Sequence, residues 1–173
     1  MAHRQARMTF FGAGLLEPQV TSMDIKLNQT DAGAARERVV DIMIDLARVA
    51  RSHRIIAVGA DGLRIHRALY RRGFARCATA STCGISPGQY SAAFIAGDRS
   101  YRELEASLVR VSPFLNATAT IVVSIESEEN GLSLRVRAKL EQLGFRVEVG
   151  VRWQQALLLS AYRCNFAAIA KAA

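Results

Sequence analysis

Several glycine, hydroxyl and carboxylate residues directly follow short apolar runs of this sequence, at the positions where buried strands would end. They are Gly59, Asp61, Gly62, Ser81, Thr82, Gly97, Asp98 and Glu126. In an open α/β sheet a ligand lies outside the carboxyl ends of the strands, where the strand order reverses. The spacing therefore predicts one ligand site built from several loops, and it favours a nucleotide-like ligand before any particular reaction.

The glycine turn after residues 55–58 is the best defined of these loops. Residues 55–58 form an unbroken apolar run, typical of a strand buried on both faces, and Gly59 ends it. A helical pattern opens at Gly62, so the turn would aim the amides of a helix end at a ligand. Asp61 could hydrogen-bond a cofactor amine or ribose, or it could cap the helix. Asp98 could act on a substrate proton, although its place before a helix favours an interaction with the helix dipole.

A stripe of arginines lies in the helix after the glycine turn. Arg64, Arg67 and Arg71 recur at spacings of three and four residues, with His66 among them. Such a stripe is usually a solvated face, but because no acidic residue interrupts it, phosphate binding stays open as an alternative. His53 has no neighbour of ligand type, and no metal-ligand spacing occurs, so we predict no metal cofactor.

Cysteine usage favours a reducing compartment. The chain has 3 cysteines, an odd number, and Cys77, Cys83 and Cys164 show neither CxxC spacing nor a paired histidine motif. We therefore predict a cytoplasmic protein without a structural zinc. Cys83 could be exposed and reactive, but an isolated cysteine without a placed base is more often inert.

The elements that would position these residues alternate between helix and strand. A helical period runs from Asp31 through Val39 and Met43, and Ser100 with Glu103 makes a capping box for a later helix. Strands are predicted at residues 55–58, 74–80, 90–96 and 119–125. The connection 81–89 is too short to hide a further strand and helix.

The end of the chain predicts a reversed strand. A helix over residues 132–143 closes at Gly144, as the earlier helix closes at Gly73. Two strands follow, at residues 146–151 and 156–162, and the short link between them cannot carry a crossover helix, so they must run antiparallel. The sequence therefore predicts a three-layer α/β fold: a Rossmann-like sheet of about six strands, mostly parallel, with a C-terminal antiparallel hairpin.

Length and composition fit one domain. With 173 residues, 50% of them hydrophobic, the chain can bury a substantial core. We predict a mobile arm over residues 1–30 and a single domain over residues 31–173. Within the arm, Met23, Ile25 and Leu27 alternate with polar neighbours and could make a short edge strand or cover the sheet. No apolar run is long enough for a membrane span, and no secretory cleavage pattern appears.

The net charge of +8 raises the question of a polyanionic partner. The arginines are scattered through every segment rather than gathered in one run, so we predict no nucleic-acid partner. Trp153 and Tyr162 fall in the closing hairpin, where they would serve packing or an interface. A homo-oligomer formed through this hairpin is therefore a further expectation.

Over residues 34–164, the order of these elements resembles that of the class I S-adenosylmethionine-dependent methyltransferases. Residues 54–62, 90–98 and 144–162 stand where that family has its glycine motif, its fourth strand and its closing hairpin. The resemblance implies S-adenosylmethionine as cofactor. This chain departs from the family in having Asp61 where a second glycine is usual, and in having no Asp or Glu between Asp61 and Asp98, where an acid would hold the ribose hydroxyls.

Three hypotheses follow from these observations. The first is a methyltransferase-like protein that binds S-adenosylmethionine or a related adenosine ligand, with an unidentified acceptor and weak or no activity; any transfer would rely mainly on positioning, since methyl transfer can proceed by alignment. The second is a non-catalytic interaction or assembly module of the same architecture. The third is another nucleotide-binding domain that uses the arginine stripe for phosphate.

Overall fold

A computed structural model describes the backbone of residues 21–81, 86–126 and 131–163, and the side chains of those residues from Gly33 onward. The chain divides into two compact units, Met1–Ala34 and Ala35–Ala173. The sheet lies in the second unit. The helices and strands, in chain order, are α1 Thr21–Ala47, β1 Ile55–Val58, α2 Gly62–Arg71, β2 Cys77–Thr79, β3 Tyr90–Ile95, α3 Tyr101–Val111, β4 Leu115–Ile125, α4 Leu132–Gln142, β5 Phe145–Trp153 and β6 Ala156–Arg163.

The six strands form one sheet in the order β2-β1-β3-β4-β6-β5. Strands β2, β1, β3 and β4 run parallel, and β6 is antiparallel to both of its neighbours, β4 and β5. The predicted fold class and the single reversed strand are therefore confirmed. The order reverses between β1 and β3, so the carboxyl ends of these two strands flank the position where ligands of α/β sheets lie.

Each face of the sheet has its own hydrophobic core. One face packs against α1 and α2, and its buried residues include Met43, Leu69 and Phe94. The other face packs against α3 and α4, and its core includes Leu104, Ile121 and Leu140. A sheet covered on both faces explains why the strands are near-continuous apolar runs in the sequence.

Local stop and start signals act as the sequence predicts. Helix α2 ends at Gly73, which has φ of 87°, and the amide of Phe74 donates to the carbonyl of Leu69 at 3.1 Å. Helix α3 begins with the capping box: the Ser100 hydroxyl accepts from the Glu103 amide at 3.3 Å, and the Glu103 carboxylate accepts from the Ser100 amide at 3.3 Å. Both signals are confirmed.

The N-terminal helix is longer than the sequence suggests. It begins at Thr21 rather than near Asp31, so the edge strand predicted at Met23, Ile25 and Leu27 is wrong: these residues are helical. Met23 and Leu27 are also four residues apart, a spacing that fits one helix face, and an established helix extends at little further cost. Residues 1–20 of the predicted arm lie outside the described residues.

Strand lengths also differ from the prediction. Strand β2 covers only Cys77–Thr79, because Phe74 is occupied in closing α2, whereas β4 starts earlier, at Leu115, which pairs with Tyr90. The described part of the connection between β2 and β3 (residues 80–81 and 86–89) contains neither strand nor helix, as predicted. Within the described residues, no helix is both long and apolar enough to span a membrane.

Candidate functional site

The glycine turn after β1 is tightly fixed by its neighbours. Gly59 has φ of 93°, and a Cβ atom there would lie 2.3 Å from the Ala96 carbonyl oxygen, so no other residue fits without a backbone shift. The Gly59 carbonyl accepts from the Gly62 amide at 3.0 Å. The turn is thus as sharp as the sequence predicts, and it is pressed against the end of β3.

The turn after β1 directly contacts the segment that follows β3, at the point where the strand order reverses. The amide of Asp61 donates to the Ala96 carbonyl at 3.1 Å. A Cβ atom on Gly97 would lie 2.6 Å from the Asp61 amide nitrogen. The turn amides of residues 61 and 62 are therefore engaged within the protein, and Gly97 serves this close approach of the turn to β3.

Asp98 links the turn to α3. Its side chain is buried, with 6% exposed; Oδ1 accepts from the Ala60 amide at 3.0 Å, and Oδ2 accepts from the Ser107 hydroxyl at 2.7 Å. The Ala60 amide, which could otherwise bind an anionic group of a ligand, therefore donates to a carboxylate of the protein. The expectation that Asp98 interacts mainly with the helix dipole missed these two partners, which only packing brings within reach.

The Asp61 carboxylate pairs with an arginine side chain of α2 and does not cap the helix. Asp61 occupies the N-cap position but accepts no side-chain capping hydrogen bond, so the capping interpretation of this side chain is wrong. Instead Oδ2 accepts from Arg64 Nη2 at 2.7 Å. An arginine three residues away in the helix competes successfully for the carboxylate because the pair gains charge–charge attraction as well as a hydrogen bond.

A cavity of about 630 Å³ remains beside the turn, on the face of the sheet that α3 covers. Its volume lies within the range of about 300–1,000 Å³ typical of small-molecule sites. Its wall comes from the carboxyl ends of β1 and β2, the glycine turn and one side of α3, and its main polar and glycine residues are Gly59, Gly62, Ser81, Asp98, Glu103, Ser107 and Arg110. The cavity is therefore our candidate ligand site.

The predicted site residues divide into three groups. Gly59, Gly62, Ser81 and Asp98 line the cavity. Asp61 and Gly97 belong to the turn contact and are not among the described lining residues, and neither is Glu126, which is exposed at the end of β4. Thr82 lies outside the described residues.

Sequence reasoning missed the contribution of α3 to the site. Glu103, Ser107 and Arg110 lie three or four residues apart and so share one side of the helix, the side that lines the cavity. This polar spacing was available in the sequence as a signal, but Glu103 was already explained by its role in the capping box. The Glu103 carboxylate also accepts from the Arg99 amide at 2.9 Å, and these backbone donors lower the pKa of Glu103 below its ordinary value.

The arginine stripe is largely neutralised. Arg64 pairs with Asp61, and Arg71 pairs with Glu37 of α1. Glu37 also accepts from the neighbouring Arg72 at 2.7 Å. The packing of α1 beside α2 supplies an acidic residue that the local sequence lacks, and this weakens the argument for a phosphate site on α2.

The remaining titratable candidates have structural partners. His66 Nε2 lies 3.2 Å from the Cys77 carbonyl oxygen, and His53 Nδ1 accepts from the Ala50 amide at 3.0 Å. Partial burial raises the pKa of the Cys77 thiol, which disfavours the reactive thiolate. Among the described residues, no group of His, Cys, Asp or Glu could hold a metal ion. Cys83 and Cys164 lie outside the described residues.

Comparison with solved structures identifies the fold. A geranyl diphosphate methyltransferase in complex with SAM covers 86% of this chain and 93% of its own length, at 9% identity and a TM-score of 0.58. The geranyl diphosphate C-methyltransferase of Streptomyces coelicolor A3(2) covers 87% of each chain, at 11% identity and a TM-score of 0.56. At such identities, the likeness establishes a class I methyltransferase-like Rossmann fold and no more.

A third similar structure belongs to a protein named for a different reaction, so the fold does not specify one reaction. The [4+2]-cyclase SpnF is similar over 73% of this chain and 80% of its own, at 13% identity and a TM-score of 0.53. No family model matches the sequence. No curated protein matches it either. The sequence comparisons therefore assign no activity to this chain.

Proposed function

We propose that this chain, which has the fold of the class I S-adenosylmethionine-dependent methyltransferases, binds S-adenosylmethionine or S-adenosylhomocysteine in the cavity beside its glycine turn. The observation that carries the proposal is the 630 Å³ cavity at the carboxyl ends of β1 and β2, where ligands of such sheets lie. Its volume suits an adenosine ligand, and its wall offers hydroxyl and carboxylate acceptors. The structural neighbours named with SAM or S-adenosyl-L-homocysteine support the choice of ligand.

If methyl transfer occurs, positioning would supply most of the rate. The acceptor would form a bond to the methyl carbon as the carbon–sulfur bond breaks, the sulfur would take the electron pair, and the acceptor would lose its proton to solvent. Such a displacement needs alignment more than a protein nucleophile. The sharp turn at Gly59 would form one side of the ligand site, whereas the α3 side chains would hold the ligand from the other side.

The proposal is tested by filling the cavity. Ala106 is an exposed residue of α3 that lines the cavity, and Ala138 is an exposed residue of α4 that is absent from its described wall. Ala106→Trp should therefore obstruct the cavity, whereas Ala138→Trp introduces the same side chain away from it. We expect S-adenosylhomocysteine to raise the melting temperature of the wild type and Ala138→Trp but not of Ala106→Trp, because a ligand stabilises only the form that binds it. No melting shift and no heat of binding for the wild type at millimolar ligand would contradict the proposal.

A second candidate function is that of a non-catalytic interaction module. The contact between Asp98 and the Ala60 amide favours it, because the turn already carries an internal anion. Light scattering tests this alternative, which predicts a stable dimer or larger species together with no ligand binding. The outer strand β5 carries a register shift between Val147 and Val149 and charged side chains at Arg146 and Glu148, features that hinder strand-to-strand pairing. An interface on the hairpin would therefore use its face rather than its edge.

A further inference from the structure

Helix α3 contributes one carboxylate to the cavity wall, that of Glu103. Oε2 of Glu103 accepts from the amides of Arg99 at 2.9 Å and Ser100 at 3.3 Å. Both of these backbone hydrogen bonds go to Oε2, and the residue is exposed. Because the backbone donors lower the pKa of this group, the carboxylate is charged at neutral pH.

The other acceptors around the cavity already have partners. Each carboxylate oxygen of Asp98 accepts one hydrogen bond, from Ala60 or from Ser107. The Ser81 hydroxyl lies 2.9 Å from that of Thr79. The sequence contains no Asp or Glu from residue 62 to residue 97, so the segment after β2 supplies no carboxylate. Of the two carboxylates among the described lining residues, Asp98 therefore uses both oxygens, whereas both backbone hydrogen bonds of Glu103 go to Oε2.

We infer that Glu103 is a specificity-determining residue whose Oε1 accepts hydrogen bonds from the ribose hydroxyls of the adenosine ligand. This inference rests on the proposed function. Glu103 would replace the acidic residue that the methyltransferase-like layout has after its second strand. A carboxylate is a strong acceptor for two adjacent hydroxyl groups. The capping box already restrains the Glu103 side chain. Ordering this side chain on ligand binding therefore costs less conformational entropy.

The test measures how one substitution changes the affinity for two ligands that differ only in their ribose hydroxyls. Glu103→Gln removes the charge while keeping a residue that can complete the capping box, so the helix start is preserved. The two probes are S-adenosylhomocysteine and its 2′,3′-dideoxy analogue, with affinities measured by calorimetry. We expect Glu103→Gln to weaken binding of S-adenosylhomocysteine by about tenfold or more, and to leave binding of the dideoxy analogue unchanged. A merely structural role would weaken both ligands alike.

Glu105→Gln provides the matched control on the same helix. Glu105 pairs with Lys139 of α4 at 2.8 Å and is absent from the described cavity wall, so we expect ligand binding like that of the wild type. If the wild type binds S-adenosylhomocysteine and Glu103→Gln binds it equally well, the role of Glu103 is refuted and the proposed function stands. If the wild type binds neither ligand, both the proposed function and the role of Glu103 are refuted.

Discussion

Asp98 and Ala60 link the loops that follow β3 and β1, the neighbouring strands between which the strand order reverses. The Asp98 carboxylate, buried at the end of β3, accepts the backbone amide of Ala60 in the turn after β1 at 3.0 Å. The same carboxylate holds Ser107 of α3. One acidic side chain therefore connects the glycine turn, the loop after β3 and α3 in the wall of the candidate site.

Removing this carboxylate should destabilise the fold more than neutralising it. In Asp98→Ala, the Ala60 amide and the Ser107 hydroxyl lose their acceptor, and we expect a loss of about 1–3 kcal/mol in the free energy of unfolding. In Asp98→Asn, the amide oxygen can still accept from Ala60 and the amide nitrogen can donate to the Ser107 oxygen, so the loss should be smaller. Urea denaturation measures both. Equal losses in the two variants would contradict this account.

Glycine at position 59 should be irreplaceable, unlike another glycine with positive φ. Gly59→Ala combines a strained φ of 93° with a Cβ atom 2.3 Å from a backbone oxygen, and we expect a loss of about 3 kcal/mol or more in unfolding free energy. Gly88→Ala has a similar φ of 71° but nothing within 4 Å, so only the backbone strain of about 1 kcal/mol should appear. Thermal or urea unfolding compares the two, and similar losses would show that the close approach to Ala96 is unimportant.

Arg163 at the end of β6 should stabilise the fold through its fork of donors. Its guanidinium donates to the carbonyls of Leu115 at 2.6 Å and Ser112 at 3.0 Å, and it lies 4.9 Å from the centre of the Phe145 ring. Lysine cannot reproduce this planar set of donors, so we expect Arg163→Lys to lower the free energy of unfolding by about 1–3 kcal/mol. Arg137→Lys, at an exposed position of α4, should change it by less than about 0.5 kcal/mol. A neutral Arg163→Lys variant would refute the stabilising role.

Acid should act on stability partly through Glu103. Hydrogen bonds from the Arg99 and Ser100 amides lower the pKa of Glu103 in the folded chain below its ordinary value of 4.5. The group therefore contributes stability that is present above pH 4.5 and is lost as the pH falls through the folded pKa. We expect the difference in unfolding free energy between the wild type and Glu103→Gln to shrink as the pH is lowered below 4.5. A difference that is independent of pH would contradict the assigned hydrogen bonds.

The sequence by itself determined the order and direction of the elements, because the signals for these are local. The Gly73 and Gly144 stops and the capping box at Ser100 each depend on residues a few positions apart. The reversed strand followed from a connection too short for a crossover helix. The long N-terminal helix escaped prediction because its weakly periodic first half is carried by cooperative extension from the part that packs on the sheet.

Only the tertiary structure decided which polar groups meet. Asp98 is 38 positions from Ala60, and Glu37 is 34 positions from Arg71, so no local pattern links either pair. The side of α3 that bears Glu103 lines a cavity, and the described residues of the connection after β2 (80–81 and 86–89) contain no helix that covers it. Hydrogen bonds and ion pairs form over a few ångströms of space, and packing rather than sequence separation sets those distances.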